Sequence, residues 1–210
     1  MPYQYDVFIS YRNSQLKKWV RDIFYEILEH HLGEQLTTGE AKIFLDRKDI
    51  SGGVTWDDAL QNALASSKVI LPLWSRRYFS RDWCKYELAH MLMRQEECGY
   101  GRRSNDRCLI VPVDVTGGYV SFPDYVKRIQ CIPLYEYARI YLTKESPKAV
   151  ELEEQMVKKL VPAVAKAISS APEYDSKWLD WDQENDRIRE ITNLISTEHS
   201  SQTSAPSLGG

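Results

Sequence analysis

Two short apolar runs limit the folds open to this chain more than any other feature. Lys68–Trp74 (KVILPLW) and Cys108–Val113 (CLIVPV) are almost continuously apolar, as is typical of parallel strands that are covered on both faces. Tyr5–Ser10 is a third β-rich run, and Lys42–Leu45 and Gln130–Leu134 are two shorter ones. These five runs predict the strands of one buried parallel sheet.

Segments with helical periodicity occupy the intervals between the strands. They are Leu16–Leu32, Trp56–Leu64, Trp83–Glu97 and Ala149–Ile168. Pro162 is expected to kink or split the last of them. Alternating strands and helices predict an α/β fold, in which right-handed crossovers connect the strands of a five-stranded parallel sheet.

The carboxyl edge of this sheet is where a ligand is expected. In open parallel sheets, ligands bind outside the carboxyl ends of the strands, at the point where the strand order reverses. The loops after Ile9, Leu45 and Trp74 all leave from that edge. Three separate motifs are therefore expected around one cleft.

The character of the sequence changes near residue 170. From Ala171 onward there are eight acidic and three basic residues, a balance of −5 within a total net charge of −3. Asp182–Ile195 is predicted to be a charged helix with a narrow apolar stripe of isoleucines. Trp178 and Trp181 look exposed, although packing on the domain surface is the favoured interpretation. Residues 171–199 are thus an acidic, partly helical extension, and residues 200–210 are a disordered tail or linker to a further sensor or effector module.

Composition excludes several classes of protein. The sequence has no run of about 18 apolar residues and no N-terminal signal peptide, so we expect a cytoplasmic protein without a membrane segment. The four cysteines are irregularly spaced and lack the histidine pairing of a zinc site, which predicts reduced thiols and no metal. Neither part of the chain has the concentrated basic face that direct nucleic acid binding requires.

Trp83 and Glu87 are the clearest chemical signal on a predicted helix. They are four positions apart and project from one face, and Ser80 and Asp82 are candidate N-caps that would place them in the first two turns. A carboxylate there can bind ribose hydroxyls and stabilise a positive anomeric carbon, and an indole can stack on a flat ring. Spacing alone favours a simpler interpretation, in which Trp83 is a core residue and Glu87 is a solvated helix residue.

Three motifs in a fixed order change that balance. YDVFISYR (Tyr5–Arg12), FLDRKDISGG (Phe44–Gly53) and SRDWCKYEL (Ser80–Leu88) resemble motifs of Toll/interleukin-1 receptor (TIR) domains, most of all those of bacterial TIR proteins. The similarity runs from about Tyr5 to Ile168. It implies a flavodoxin-like TIR fold with helices on both faces of the sheet, and a TIR domain at residues 1–170.

The resemblance also implies an activity. In NAD⁺-consuming members of the family, a glutamate four residues after a tryptophan in this helix is catalytic, which implies that role for Glu87. The expected reaction cleaves the nicotinamide–ribose bond of NAD⁺ and yields nicotinamide with ADP-ribose or a cyclic ADP-ribose isomer. NAD⁺ is then the substrate, and no cofactor or metal is needed. The substrate-binding residues implied are Ser10, Tyr11, Arg12, Asp46 and Trp83.

The loop after the second strand is the expected assembly element. Its glycines permit backbone angles that other residues resist, and in TIR domains this loop commonly packs on a neighbouring subunit. The resemblance implies other TIR domains as partners, and an activity that depends on homo-oligomerisation in bacterial anti-phage defence. An ordinary flexible loop is the alternative. The implied assembly residues are Arg47, Lys48, Asp49, Ile50, Ser51, Gly52 and Gly53.

Other functions compete with NAD⁺ cleavage. A non-catalytic scaffold would signal through TIR–TIR assembly alone, but many scaffold members lack the glutamate that is present here as Glu87. A phosphoacceptor receiver would need an acidic pair after the first strand, whereas Asp6 precedes that strand's apolar residues. A nucleophilic Cys84–His90 pair is disfavoured because residues six positions apart do not share a helix face.

Overall fold

Five parallel strands form the sheet of this protein. They are β1 (Tyr5–Ser10), β2 (Ile43–Phe44), β3 (Ser67–Trp74), β4 (Val113–Asp114) and β5 (Ile132–Pro133). In the computed structural model, which describes residues 3–12, 16–45, 56–102 and 105–196, they pair in the order β2–β1–β3–β4–β5. The expected flavodoxin-like α/β fold is therefore confirmed.

The strand predicted over Cys108–Val113 is interrupted, because only its last residue belongs to regular β4. Ile70 in β3 bonds to this segment on both sides of an isolated bridge, and Trp74 accepts a further bond from Val115, just after the segment. Pro72 lies between them on the same edge of β3 and has no N–H to donate. The regular ladder therefore breaks beside Pro72 and resumes at Val113.

Helices cover both faces of the sheet and account for most of the remaining described chain. None of those in the described ranges is long and apolar enough to cross a membrane. Their bounds are α1 (Lys17–Trp19), α2 (Tyr25–Gln35), α3 (Trp56–Ala65), α4 (Asp82–Glu97), α5 (Asp124–Lys127), α6 (Pro147–Gln155), α7 (Val161–Ser169) and α8 (Asp186–Ser196).

Three of the predicted helices differ in detail from the observed ones. The helix predicted over Leu16–Leu32 contains a π-helical turn, Val20–Phe24, between α1 and α2. The helix predicted over Ala149–Ile168 contains a π-helical turn, Met156–Leu160, between α6 and α7. This turn ends just before Pro162, whose missing N–H removes an α-type hydrogen bond. The charged helix predicted from Asp182 begins later, as α8, because the side chain of Asn185 accepts the first free N–H groups of that helix.

Side chains of the sheet alternate between two cores, as the period of a strand requires. Val7 and Ile9 lie in a first core with α2 and α7. Phe8 lies in a second core with α3 and α4, where its ring stacks on Phe44 at a centroid distance of 5.1 Å. Ser10 follows Phe8 by two positions, so the strand directs it toward the second core.

Residues 172–196 pack on this second core. Trp178 and Trp181 are 3% and 7% exposed, so they are buried, as the favoured interpretation holds, despite their polar surroundings in the sequence. The predicted apolar stripe of α8 is confirmed and faces α4. Its members are Ile188, Ile191 and Ile195. The predicted tail at 200–210 lies outside the described residues.

Three side chains of α4, spaced four residues apart, hold this C-terminal segment. Tyr86 donates a hydrogen bond to the carbonyl of Trp181 at 2.8 Å, and Nε2 of His90 lies 3.1 Å from the carbonyl of Trp178. The guanidinium of Arg94 lies 3.6 Å from the ring centroid of Trp178, within cation–π range. Because residues four apart share a helix face, these three contacts hold the C-terminal segment along one face of α4.

Candidate active site

The switch point of the sheet lies between β1 and β3. These central strands are neighbours, and the chain leaves them in opposite directions to build β2 on one side and β4 on the other. In flavodoxin-like sheets the ligand site lies at this point, beyond the carboxyl ends of the strands. Ser10 is the last residue of β1, and the loop after β3 leads directly into α4.

Trp83 and Glu87 lie in the first two turns of α4. The expected caps are wrong in detail: the N-cap position is Arg81, whose side chain makes no capping bond. Ser80 instead donates to the carbonyl of Arg77. Because α4 begins at Asp82, Glu87 nevertheless lies in its second turn, under the carboxyl end of β1.

Glu87 is buried, only 5% exposed, so the interpretation of it as a solvated helix residue is wrong. Its Oε2 lies 2.5 Å from Oγ of Ser10. Ser10 Oγ lies 2.8 Å from the hydroxyl of Tyr78, which in turn lies 3.0 Å from the backbone carbonyl of Cys84. The four groups form a continuous, buried chain of hydrogen bonds that joins β1 to α4.

Burial is the main influence on the charge of Glu87. Desolvation raises the pKa of its carboxyl group from 4.5 to about 8, and the nearby Ser10 hydroxyl and Trp83 indole oppose this shift. A buried carboxyl group with a raised pKa is the electrostatic arrangement that recurs at functional sites, since structural carboxylates are usually solvated or paired with a cation.

Arg12 and Trp83 are half-buried side chains beside this network, where Arg12 acts on Cys84 and Trp83 on Glu87. The indole of Trp83 is close enough to favour the charged form of Glu87. Nε of Arg12 is buried and donates to no partner among the described residues. A cation in this position can bind an anionic group such as a phosphate.

The other predicted site residues lie elsewhere or outside the described chain. Tyr11 packs against the first core, on the opposite face of the sheet from Phe8. Asp46 and the expected assembly residues, Arg47–Gly53, lie outside the described residues.

Cys84 lies beside Glu87, but its surroundings do not favour a nucleophile. Burial, followed by the proximity of Glu87, raises the pKa of its thiol far above the ordinary range, and Arg81 and Arg12 oppose this only in part. A reactive cysteine needs the opposite shift. His90 is occupied by the C-terminal segment, so the structure supports no Cys84–His90 pair.

Tyr78 is the member of the site that sequence reasoning missed. It is fully buried and is joined to Ser10 and to Cys84 by hydrogen bonds. The available signal was its place in the loop after a predicted strand, at the carboxyl edge of the sheet. An aromatic residue there is usually a packing residue, and only the tertiary contact with Ser10 identifies its hydroxyl as part of the site.

This geometry defines an α/β protein with a buried carboxyl group at its switch point. The sequence profile of the TIR domain family matches residues 7–143, which is more than half of the chain, and the protein belongs to that family. A TIR domain-containing protein of Arabidopsis thaliana is 30% identical over 96 residues, covering 46% of this chain and 34% of that protein. The chain therefore spans about a third of the length of this relative.

Two solved TIR structures are similar to this chain. The TIR domain of the Toll-related receptor TRR-2 from Hydra magnipapillata is 16% identical, with a TM-score of 0.43 and coverage of 62% of this chain and 85% of that one. The TIR domains of the activated Roq1 resistosome, which recognises the pathogen effector XopQ, are 20% identical, with a TM-score of 0.38 and coverage of 91% and 97%.

Proposed function

We propose that this protein cleaves the bond between nicotinamide and ribose in NAD⁺, with Glu87 as the catalytic residue. The observation that carries the proposal is the buried carboxyl group of Glu87, held 2.5 Å from Ser10 at the switch point of the sheet. Packing alone gives no role to the ionised form of a buried carboxyl group. At a ligand-binding edge, the same group can stabilise developing positive charge.

The chemistry needs little more than this charge. Breaking the C1′–N bond leaves its electron pair on the nicotinamide nitrogen, so nicotinamide departs as a neutral molecule without a proton donor. The ribose becomes an oxocarbenium-like cation, which the ionised Glu87 stabilises by charge and by binding the ribose hydroxyls. Attack by water yields ADP-ribose, whereas attack by a nucleophile of the same ADP-ribose moiety yields a cyclic isomer.

The neighbouring side chains support binding of such a substrate. The half-buried indole of Trp83 can pack against the nicotinamide ring, and Arg12 can bind a phosphate through its guanidinium. Ser10 orients Glu87. Asp46 and Tyr11 keep their assignment as substrate-binding residues through the family resemblance alone.

Assembly is the second part of the proposal. We assign Arg47–Gly53 to contacts between TIR domains, so that self-association completes the site and turns the enzyme on. Depletion of NAD⁺ or release of a nucleotide signal by an assembled cytoplasmic protein would then serve defence against phage. A scaffold that assembles without cleaving NAD⁺ is the competing function.

A cleavage assay under assembling conditions tests the proposal. The full chain is incubated with NAD⁺ at high concentration and with a crowding agent, while light scattering reports assembly and chromatography reports nicotinamide. Glu87→Ala is expected to lower the rate of release by about 10²-fold or more, the usual contribution of a positioned catalytic group. Chromatography of the ribosyl product separates hydrolysis from cyclisation.

Glu34→Ala provides the matched control. Glu34 is an exposed glutamate of α2, on the face of the sheet opposite the site, and its replacement is expected to leave the rate unchanged. An assembled wild-type protein that releases no nicotinamide would establish the scaffold instead. Equal rates for wild type and Glu87→Ala would remove Glu87 from the mechanism.

A further inference from the structure

The chain of hydrogen bonds from Glu87 to the backbone has a defined direction. The carbonyl of Cys84 can only accept, so the hydroxyl of Tyr78, 3.0 Å away, must donate to it. That donation uses the single proton of Tyr78. At the 2.8 Å contact between Tyr78 and Ser10, Ser10 must therefore be the donor.

The same count determines the state of Glu87. Ser10 also has one proton, and it is already directed to Tyr78. All three contacts can be hydrogen bonds at the same time only if Glu87, as a neutral carboxylic acid, supplies the proton of the 2.5 Å contact between Ser10 Oγ and Glu87 Oε2. An ionised Glu87 would instead accept the proton of Ser10. Three contacts thus require three protons, two from the hydroxyl groups and one from the carboxyl group.

We propose that Tyr78 is a positioning residue that acts through Ser10 to keep Glu87 neutral until a cationic substrate arrives. When Glu87 ionises, Ser10 must turn its proton toward the carboxylate, and one of the remaining contacts of Tyr78 loses its hydrogen bond. Tyr78 therefore opposes ionisation by competing for the proton of Ser10, whereas Ser10 by itself favours the charged form. A pyridinium ring such as that of NAD⁺ would favour the charged form, and the catalytic part of this inference rests on the proposed function.

The charged and titratable groups around the network are consistent with this assignment. Tyr78 itself stays protonated, because burial raises its pKa well above 10.0. Cys84 and Tyr86 of α4 are kept neutral in the same way, chiefly by burial. Arg12, after β1, and Arg81, before α4, are the nearby cations that act on Cys84.

A titration of Glu87 tests the proposal without any need for activity. The full chain is labelled with ¹³C at the glutamate carboxyl carbons, and the Glu87 signal is assigned by its absence in Glu87→Gln. Its chemical shift is followed from pH 5 to pH 10 in wild type, in Tyr78→Phe and in Ser10→Ala. Circular dichroism and tryptophan fluorescence verify that each variant is folded.

The two variants are expected to shift the midpoint in opposite directions. The wild-type midpoint is expected at about 8. Tyr78→Phe removes the hydrogen bond that ionisation breaks, so the midpoint should fall by roughly 0.5–1 pH unit, the equivalent of one net hydrogen bond. Ser10→Ala removes the donor that the carboxylate needs, so the midpoint should rise.

Tyr86→Phe is the matched control. Its hydroxyl also donates to a backbone carbonyl from a buried position on α4, but it is not part of the chain of hydrogen bonds. Its midpoint should equal that of wild type. An unchanged or higher midpoint in Tyr78→Phe, or the same decrease in Tyr86→Phe, would overturn the role of Tyr78.

The catalytic consequence is measured separately. If Glu87 must be ionised to act, the pH at which nicotinamide release reaches half its maximum should fall in Tyr78→Phe along with the midpoint. Absence of nicotinamide release from every form would count against the proposed function and leave the titration to decide the role of Tyr78. If the enzyme is active but the midpoint of Tyr78→Phe is not below that of wild type, the result would count against the role of Tyr78 alone.

Discussion

Ser10 and Glu87 lie 77 positions apart in the sequence, yet Oγ of one and Oε2 of the other are 2.5 Å apart in a buried site. The contact joins the end of β1 to the second turn of α4. It requires that β1 and β3 be neighbours, because the loop after β3 sets where α4 begins. The position of the candidate catalytic group is therefore a property of the sheet order.

Arg12→Ala should weaken binding of NAD⁺ through loss of a phosphate contact. Since hydrogen bonds to charged groups contribute about 1.5–3 kcal/mol, KM for NAD⁺ should rise about 10- to 100-fold with little change in kcat. Nicotinamide riboside has the same scissile bond but no phosphate, so its cleavage should be affected far less. Arg76→Ala, in the exposed part of the loop after β3, is the control. Equal losses with both substrates would contradict phosphate binding by Arg12.

Glu87→Gln should make the protein more stable at alkaline pH while it abolishes nicotinamide release. The pKa of Glu87 is raised from 4.5 to about 8 on folding, so the folded state keeps a proton that the unfolded chain releases between these values. Its contribution to stability is present below pH 4.5 and is lost as pH rises to about 8, at about 1.4 kcal/mol per unit. Denaturant unfolding at pH 6 and pH 9 measures this slope, which the variant should lack.

His90→Gln should remove a slope of the opposite sign. Burial, the largest cause, lowers the pKa of His90 from 6.5 to about 4. Between these values the unfolded chain binds a proton that the folded state does not bind. This contribution is present above pH 6.5 and is lost as pH falls toward 4. In wild type it offsets the slope of Glu87 between pH 4.5 and 6.5. His90→Gln should therefore gain stability as pH falls through that window, and Glu87→Gln should lose it. Parallel profiles for the two variants would contradict both assignments.

Ile191→Ala should destabilise the domain although it lies in the acidic C-terminal extension. Ile191 is fully buried between α8 and α4, and a truncation of this kind removes about 2–5 kcal/mol from the free energy of unfolding. Leu194→Ala on the same helix removes a side chain that is 41% exposed and should change it by less than about 0.5 kcal/mol. Similar values for the two variants would show that α8 does not contribute its packing in solution.

Local patterns in the sequence were sufficient to predict most elements of the fold. Tyr5–Ser10 is a strand with the predicted bounds, and the isoleucine stripe of α8 is buried as its spacing indicates. These features depend on periodicity within one segment, which a single sequence contains in full. The interruption beside Pro72 was not predicted, because it depends on which edge of β3 faces the next strand.

The site was predictable only in part, for the same reason. The resemblance to TIR domains selected Glu87 and Ser10, and the structure brings these two together. The burial of Glu87, the role of Tyr78 and the clamp formed by Tyr86, His90 and Arg94 depend on contacts between segments far apart in the chain.

The sequence by itself determined the class of this protein: a parallel α/β fold of the TIR family with a glutamate at the start of one helix. Those properties follow from the period of apolar residues and from three short motifs. Only the tertiary structure decided that Glu87 is a buried acid rather than a solvated carboxylate. Its state depends on the removal of water and on the direction of the bonds through Ser10 and Tyr78, and both arise only when β1, the loop after β3 and α4 meet.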